Sequence, residues 1–167
     1  KLLHLNPDGS SRIVRLVMPG DLFGMEALLG EQYAHSATSL SNVYLCRIPK
    51  AIIASLGEES PRLHRQIVKK WGGALSQSES WFSEINTGRI EVRLSRFFLR
   101  IAKASGDMAV APLFKREDMG LMMDVKFETI SRALASMAEQ GLISNISRLS
   151  LQIPSMKKLE EFSKQGL

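Results

Sequence analysis

The chain has 167 residues, 44% of them apolar and 23% charged, the balance of an ordinary globular protein with one large domain or two small ones. Twenty-two Lys and Arg against seventeen Asp and Glu give a net charge of +5, which is compatible with nucleic acid but shared by many enzymes. No run of eighteen apolar residues occurs, the first residues lack a charged stretch followed by an apolar core, and there is one cysteine; no membrane span, signal peptide or internal disulfide is expected, and a reducing cytoplasm fits.

Residues 1–56 read as strands. Asn6-Pro7-Asp8-Gly9 is a turn signal between short runs at Leu2–Leu5 and Ile13–Val17. Pro19-Gly20-Asp21 breaks the chain again, and Val43–Ile48 has strand character up to Pro49. Short strands at close spacing predict an antiparallel roll or barrel. The first strand begins at residue 2 without a lead-in, so the expectation is the tail of a larger β domain whose front lies outside this chain.

Residues 57–86 hold one long helix. Ser60 fits an N-cap and Pro61 the first helical position. Ile67, Trp71, Ala74, Ser78, Trp81 and Ile85 recur at spacings of 4, 3, 4, 3 and 4, a seven-residue repeat. Gly72, Gly73, Ala74, Ser76 and Ser78 carry little bulk, so another helix could approach closely. The helix either packs on its own domain or pairs with its copy about a two-fold axis; the cost of exposing Trp71 and Trp81 favours the homodimer.

Residues 87–167 form a second domain. Ile90, Leu94, Phe97, Phe98 and Ile101 mark an amphipathic helix that Ser105-Gly106-Asp107 should close. An extended piece is expected at Val110–Phe114, then two helices with a tight break, a hairpin over Ser144–Ile153, and a short helix over Ser155–Ser163 with a serine cap. In the helix pair, Met119 and Met122 or Met123 give the first helix its apolar face. Asp124-Val125-Lys126 is the turn, with Val125 directed into the core. Ile130, Leu134 and Met137 face inward from the second helix, and Lys126, Phe127, Glu128, Ser131 and Arg132 face outward near its start. That is a helix-turn-helix plan, whose second helix reads base edges in the major groove. Arg can make paired bonds to guanine, Glu can accept from cytosine, and Ser or an apolar group can meet thymine. By spacing alone, a helical hairpin with a solvated charged face fits as well.

The resemblance becomes specific at Glu128-Thr129-Ile130-Ser131-Arg132. With Pro19-Gly20-Asp21-Leu22-Phe23-Gly24, Gly88-Arg89-Ile90-Glu91-Val92-Arg93-Leu94 and Gly141-Leu142-Ile143, it resembles the Crp–Fnr superfamily of bacterial transcription regulators over nearly the whole chain, most closely its fumarate and nitrate reduction branch. The resemblance implies an α+β chain: a β-roll sensor lacking about half its length at the front, a long dimer helix and a winged helix-turn-helix domain. It implies double-stranded DNA, a second copy of the chain and RNA polymerase as partners. It also implies a TTGAT-like half-site read by Glu128, Ser131 and Arg132, with Phe127 beside them. Lys115, Arg116, Lys126 and Arg148 are candidates for phosphate contacts.

Several positions depart from the cyclic-AMP branch. Gly24 is followed by Met25 and Glu26 where that branch has Gly-Glu-Leu, and His35-Ser36 stands where it has Arg-Ser. A neutral imidazole is a poor substitute for a forked guanidinium on phosphate. Phe127 stands where that branch has Arg. Val43–Pro49 resembles the segment that carries the fourth cysteine of the oxygen-sensing members, which bind a [4Fe–4S] cluster. Cys46 is therefore either a small buried cysteine in a strand or a cluster ligand in an intact protein, since this chain has no second thiol. His4, His35 and His64 show no metal-ligand spacing. No nucleophile elbow, phosphate loop or zinc spacing supports an enzyme. A ligand-binding signalling module without DNA binding is the alternative; the intact Glu128, Ser131 and Arg132 speak against it.

Overall fold

The computed structural model describes residues 1–30 and 32–165, in two compact units, Lys1–Ser80 and Trp81–Leu167. In the first, β1 (Leu2–Leu5) pairs antiparallel with β2 (Ser11–Arg15) on one side and β3 (Ser36–Ala37) on the other. The β1–β2 turn forms where Asn6–Gly9 predicts it. The Asp8 carboxylate accepts from the Ser10 amide at 2.9 Å and the Ser10 hydroxyl at 2.6 Å, and those bonds hold its pKa below the ordinary carboxylate value. Leu2, Ile13 and Leu16 make a small core. A short 3-10 turn covers Met25–Leu28.

The expected strand at Val43–Ile48 is absent. These residues have no regular structure and are exposed, so the β-branched and aromatic pattern found no neighbouring strand to pair with. Nor does strand character extend to residue 56: α1 (Lys50–Glu59) occupies the end of that segment. Pro49 closes a strand in the sequence but starts a helix in the structure, where its carbonyl accepts from the Ile52 amide. α2 (Pro61–Ile85) follows at the expected place.

The second unit is built on α3 (Ile90–Ile101). Its apolar stripe buries Val92, Leu94, Phe97, Phe98 and Ile101 against α5 (Phe127–Glu139), α6 (Met156–Ser163) and β5 (Met108–Pro112). Phe97 stands 5.4 Å from Phe98, 6.0 Å from Phe114 and, edge to face, 5.8 Å from Trp81. α3 ends at Ile101, before the expected Ser105-Gly106-Asp107. Ala102 turns extended, Lys103–Ser105 becomes β4, and Gly106 makes the hairpin to β5. β5 spans Met108–Pro112 rather than Val110–Phe114. β6 (Ser150–Ile153) completes a β4-β5-β6 sheet, with Ala109, Ala111, Leu151 and Ile153 buried and Met108 and Val110 exposed. Of the expected Ser144–Ile153 hairpin only this strand and a Ser144–Gln152 bridge are regular. The Ser155 side chain caps α6, as expected. No helix among the described residues is long and apolar enough to cross a membrane.

α4 (Arg116–Met123) meets α5 across a tight turn. Asp124 ends α4 in the left-handed region at φ 52°, which Asp tolerates better than most residues, and the Gly120 carbonyl accepts from the amides of both Asp124 and Val125. A Cβ at Gly120 would lie 2.7 Å from the Val125 carbonyl oxygen. The contact is with backbone that these same hydrogen bonds hold in place, so it outweighs the gain of about 1 kcal/mol in helix propensity from alanine. Gly120→Ala should therefore destabilise the second unit by about 1–3 kcal/mol, lowering its melting temperature by roughly 4–8 °C per kcal/mol. An unchanged melting curve by circular dichroism would show that the turn yields freely.

Candidate nucleic-acid interface

The helix pair divides its faces cleanly. Met119, Met122 and Met123 of α4 and Ile130, Ala133, Leu134 and Met137 of α5 are buried, while Val125 in the turn is half-buried. On the other side of α5, Phe127, Glu128, Ser131 and Arg132 are exposed, Phe127 at 49%. These positions recur at one, three and four residues, so they form one surface over the first two turns. Glu128 lies in the first turn, where its charge complements the helix dipole. The Ser131 hydroxyl donates to the Phe127 carbonyl at 3.1 Å. Its proton is thus committed within the helix, and its oxygen is left to accept.

Local structure holds this surface firm. The carbonyl of Lys126, the N-cap, accepts from the Thr129 amide at 3.0 Å. At the far end Gly141, at φ 64°, closes α5: its amide reaches the Ala138 carbonyl, and the amide of buried Leu142 reaches that of Met137. Lys158 of α6 donates to the Gln140 carbonyl at 2.7 Å. A β wing lies between α5 and α6. Its tip is drawn together by Ser147, whose hydroxyl accepts from the Ser150 amide at 3.0 Å. Asn145, next to the Ser144–Gln152 bridge, adopts a left-handed φ of 44°.

The cationic candidates lie in the same unit. Lys115 is exposed at the start of α4, Lys126 is exposed at the start of α5, and Arg148 is exposed at the wing tip between Ser147 and Leu149. Arg116 is half-buried; burial pushes its pKa down and the neighbouring Glu117 raises it, and a guanidinium keeps its charge at neutral pH regardless. The exposed apolar pair Ile146 and Leu149 at the wing tip escapes a reading of the sequence, since nothing in their spacing separates them from core positions.

The other candidates are placed differently. Along α2, Trp71 is 42% exposed and Ile67, Ala74 and Ser78 are half-buried. Trp81 packs against Phe97, with the Arg100 guanidinium 6.0 Å from its ring centre, and Ile85 is fully buried, so both lie within the second unit's own packing. Cys46 is exposed and outside any strand, so it is not the buried strand cysteine that is one of the two expectations. A [4Fe–4S] cluster does not fit the residues present. It needs four ligands, the chain has one thiol, and no group of three His, Cys, Asp or Glu able to hold a metal occurs among the described residues.

A buried-faced helix pair, an exposed second helix and a β wing together define a winged helix-turn-helix protein. Residues 92–162 match the Crp-like helix-turn-helix domain, and residues 1–60 match the cyclic nucleotide-binding domain. The chain belongs to the Crp–Fnr superfamily of transcription regulators. It is 24% identical to the anaerobic regulatory protein of Pasteurella multocida, over 86% of this chain and 55% of that protein. It is 28% identical to the nitrogen fixation regulation protein FixK of Bradyrhizobium diazoefficiens, over 87% of this chain and 63% of that one. The chain thus spans less than two thirds of the length of these relatives. In fold it resembles the crystal structure of a CRP-family transcriptional regulator of Thermus thermophilus, with a TM-score of 0.80 at 22% identity, covering 99% of this chain and 84% of that one.

A side chain that meets phosphate fixes register without reading sequence. Arg148→Ala is accordingly expected to weaken binding to every duplex alike and to flatten the dependence of log K on log salt by about one unit. A loss confined to one base position, measured by salt-titrated shift assays on several duplexes, would contradict the assignment.

Proposed function

We propose that the chain binds DNA sequence-specifically as a homodimer, on a palindrome of TTGAT-like half-sites. Residues 1–56 act as the rear of a sensor that controls binding, 57–86 as the dimerisation helix and 87–167 as the DNA-binding domain. The observation that carries this reading is the exposure of Phe127, Glu128, Ser131 and Arg132 on the first two turns of a helix whose opposite face is buried. Arg132 bonds the guanine through its paired donors, and Glu128 accepts from an amino group of cytosine or adenine. Phe127 meets a thymine methyl. Ser131, its proton held by Phe127, meets its base through Cβ and the hydroxyl oxygen. Lys115, Arg116, Lys126 and Arg148 hold phosphates.

Pairing along α2 is supported by what the helix leaves uncovered. Leu63, Val68, Trp71 and Leu75 are large, apolar and exposed. Gly72 and Gly73 each cost the helix about 1 kcal/mol relative to alanine, yet nothing lies within 4 Å of a Cβ built at either. Closeness to a second helix accounts for them; packing within this chain does not. With Trp81 and Ile85 engaged in their own unit, the pairing surface is the stretch that includes Ile67, Trp71, Ala74 and Ser78. RNA polymerase is the partner through which a DNA-bound regulator acts, and DNA binding sets its place in the cytoplasm. Cys46 serves a cluster only where a longer chain supplies three further thiolates.

Arg132→Ala is expected to cost about 1–3 kcal/mol per half-site and to relax the choice at the guanine. Phe127→Arg is expected to shift preference toward guanine at the neighbouring position. A binding selection on randomised duplexes reads both, and an unchanged preferred sequence in both variants would sink the assignment.

Replacing Ala74 by Glu places a carboxylate twice at the paired seam, where two like charges repel. The expected result is a halved mass in solution by sedimentation and weaker binding to the palindrome. A variant with the mass and affinity of the wild type would move the pairing surface elsewhere.

A further inference from the structure

We propose that Leu149, at the wing tip, presses into the minor groove beside each half-site and makes binding depend on how easily the flanking DNA deforms, an inference that rests on the DNA-binding reading above. The tip is the turn over residues 147–150. The Ser147 hydroxyl accepts from the amides of Leu149 at 3.3 Å and Ser150 at 3.0 Å, and donates to the Ser150 carbonyl at 2.9 Å. The Ser147 amide donates to the same carbonyl at 2.8 Å. These three amides are used inside the turn, so they offer no donor to a phosphate. What the tip presents outward is two neighbouring side chains, exposed Arg148 and 77% exposed Leu149. Ile146, 39% exposed, adds to the apolar surface of the wing.

A lone exposed leucine is ordinary on a protein surface. This one has its backbone fastened on both sides, the amide to Ser147 and the carbonyl to the Leu113 amide at 2.8 Å. The second bond sets the tip beside the start of α4, since Leu113 stands just ahead of Lys115, the N-cap of that helix. Charge then indicates the occupant. Residues 141–156 carry one charged side chain, Arg148, and no carboxylate. At the neighbouring start of α4, Lys115 and Arg116 outweigh the exposed Glu117. A surface with that balance draws a polyanion. Arg148 is satisfied by phosphate, but Leu149 gains nothing from the charged backbone. It gains from the sugars that wall the minor groove and from a base step that it parts. A wedge of this kind bends the duplex, and the energy required depends on the sequence deformed; pyrimidine–purine steps yield most easily. Arg148 fixes the register of the tip and Leu149 supplies the wedge, so preference extends beyond the bases that α5 faces.

Binding selections on a palindrome with fixed half-sites and randomised flanks test this, using the full chain as wild type, Leu149→Ser and Leu149→Phe. Energy transfer between end labels reads the bend of the selected duplexes. Leu149 is exposed, so both variants should keep the melting curve of the wild type. The wild type is expected to favour flanks with a TA or CA step by about tenfold and to bend them. Leu149→Ser should discriminate by less than about threefold and bend the duplex less, with its half-site preference unchanged. Leu149→Phe, still an apolar wedge, should retain both properties. A serine variant as selective as the wild type overturns the inference, and so does one weakened equally on all flanks with the bend unchanged. A serine variant that matches the wild type on DNA but fails in transcription with RNA polymerase assigns the tip to a protein partner instead. A wild type that selects the half-site without any flank preference overturns the inference and leaves the DNA-binding reading intact. A wild type that selects no half-site overturns that reading, and this inference with it.

Discussion

Helix ends are the difficulty that the second unit has to solve. The last turn of each α-helix leaves carbonyls without partners inside the helix, and burying them unpaired costs free energy. Here α3 answers with two arginines one turn apart. Arg93 takes the Ile85 and Met123 carbonyls, and Arg96 takes those of Glu84, Thr87 and Ser163. The ends of α2, α4 and α6 are thereby gathered on one helix by charge-assisted bonds, the strong kind. The same helix buries Phe97 and Phe98 on its apolar stripe. One element supplies both the hydrophobic centre and the electrostatic fastening, and the position of the recognition helix follows from both.

That firmness matters for what α5 presents. A side chain discriminates between bases only when its backbone is held to within a fraction of an ångström; otherwise the wrong base finds a compensating pose. The buried face of α5, the glycine closure at Gly141 and the Lys158 bond to Gln140 fix the backbone. The exposed side chains then contribute chemistry without having to contribute stability. This division leaves Phe127, Glu128, Ser131 and Arg132 free of any part in the core while Ile130, Leu134 and Met137 hold the helix in place.

Much of this is legible in the sequence, for identifiable reasons. α2 announces itself through Ser60-Pro61 and its seven-residue repeat, and the helix pair through the split between Ile130, Leu134 and Met137 and the charged face. Those are strong periodic signals over long elements. The first unit is less legible, because short strands are defined by their neighbours. Val43–Ile48 has strand composition but no partner, and the helix after Pro49 stays hidden when proline is read only as a terminator. The end of α3 is misplaced because Ser105-Gly106-Asp107 looks the same as a helix stop and as a hairpin turn. In the seam, Trp81 and Ile85 continue the repeat of Trp71 and Ala74, yet they pack in their own unit. Periodicity tells which face is apolar and does not tell which surface covers it.

Charge shows the same limit more sharply. A net +5 summed over the chain does not separate a basic side chain that binds a ligand from one that holds the fold. Arg93 and Arg96 lie within four residues of each other, in a stretch that could pass for a basic patch, and both are bonded to helix-end carbonyls. Lys115, Lys126 and Arg148 sit apart in the sequence, in segments of no special composition, and are exposed. A cation attracts phosphate from solvent only if it is not already satisfied inside the protein and only if water, and hence DNA, can reach it. Burial and hydrogen bonding are what sort the two kinds. The fold therefore sorts what the charge count cannot, bonding Arg93 and Arg96 to helix-end carbonyls and leaving Lys115, Lys126 and Arg148 exposed to solvent.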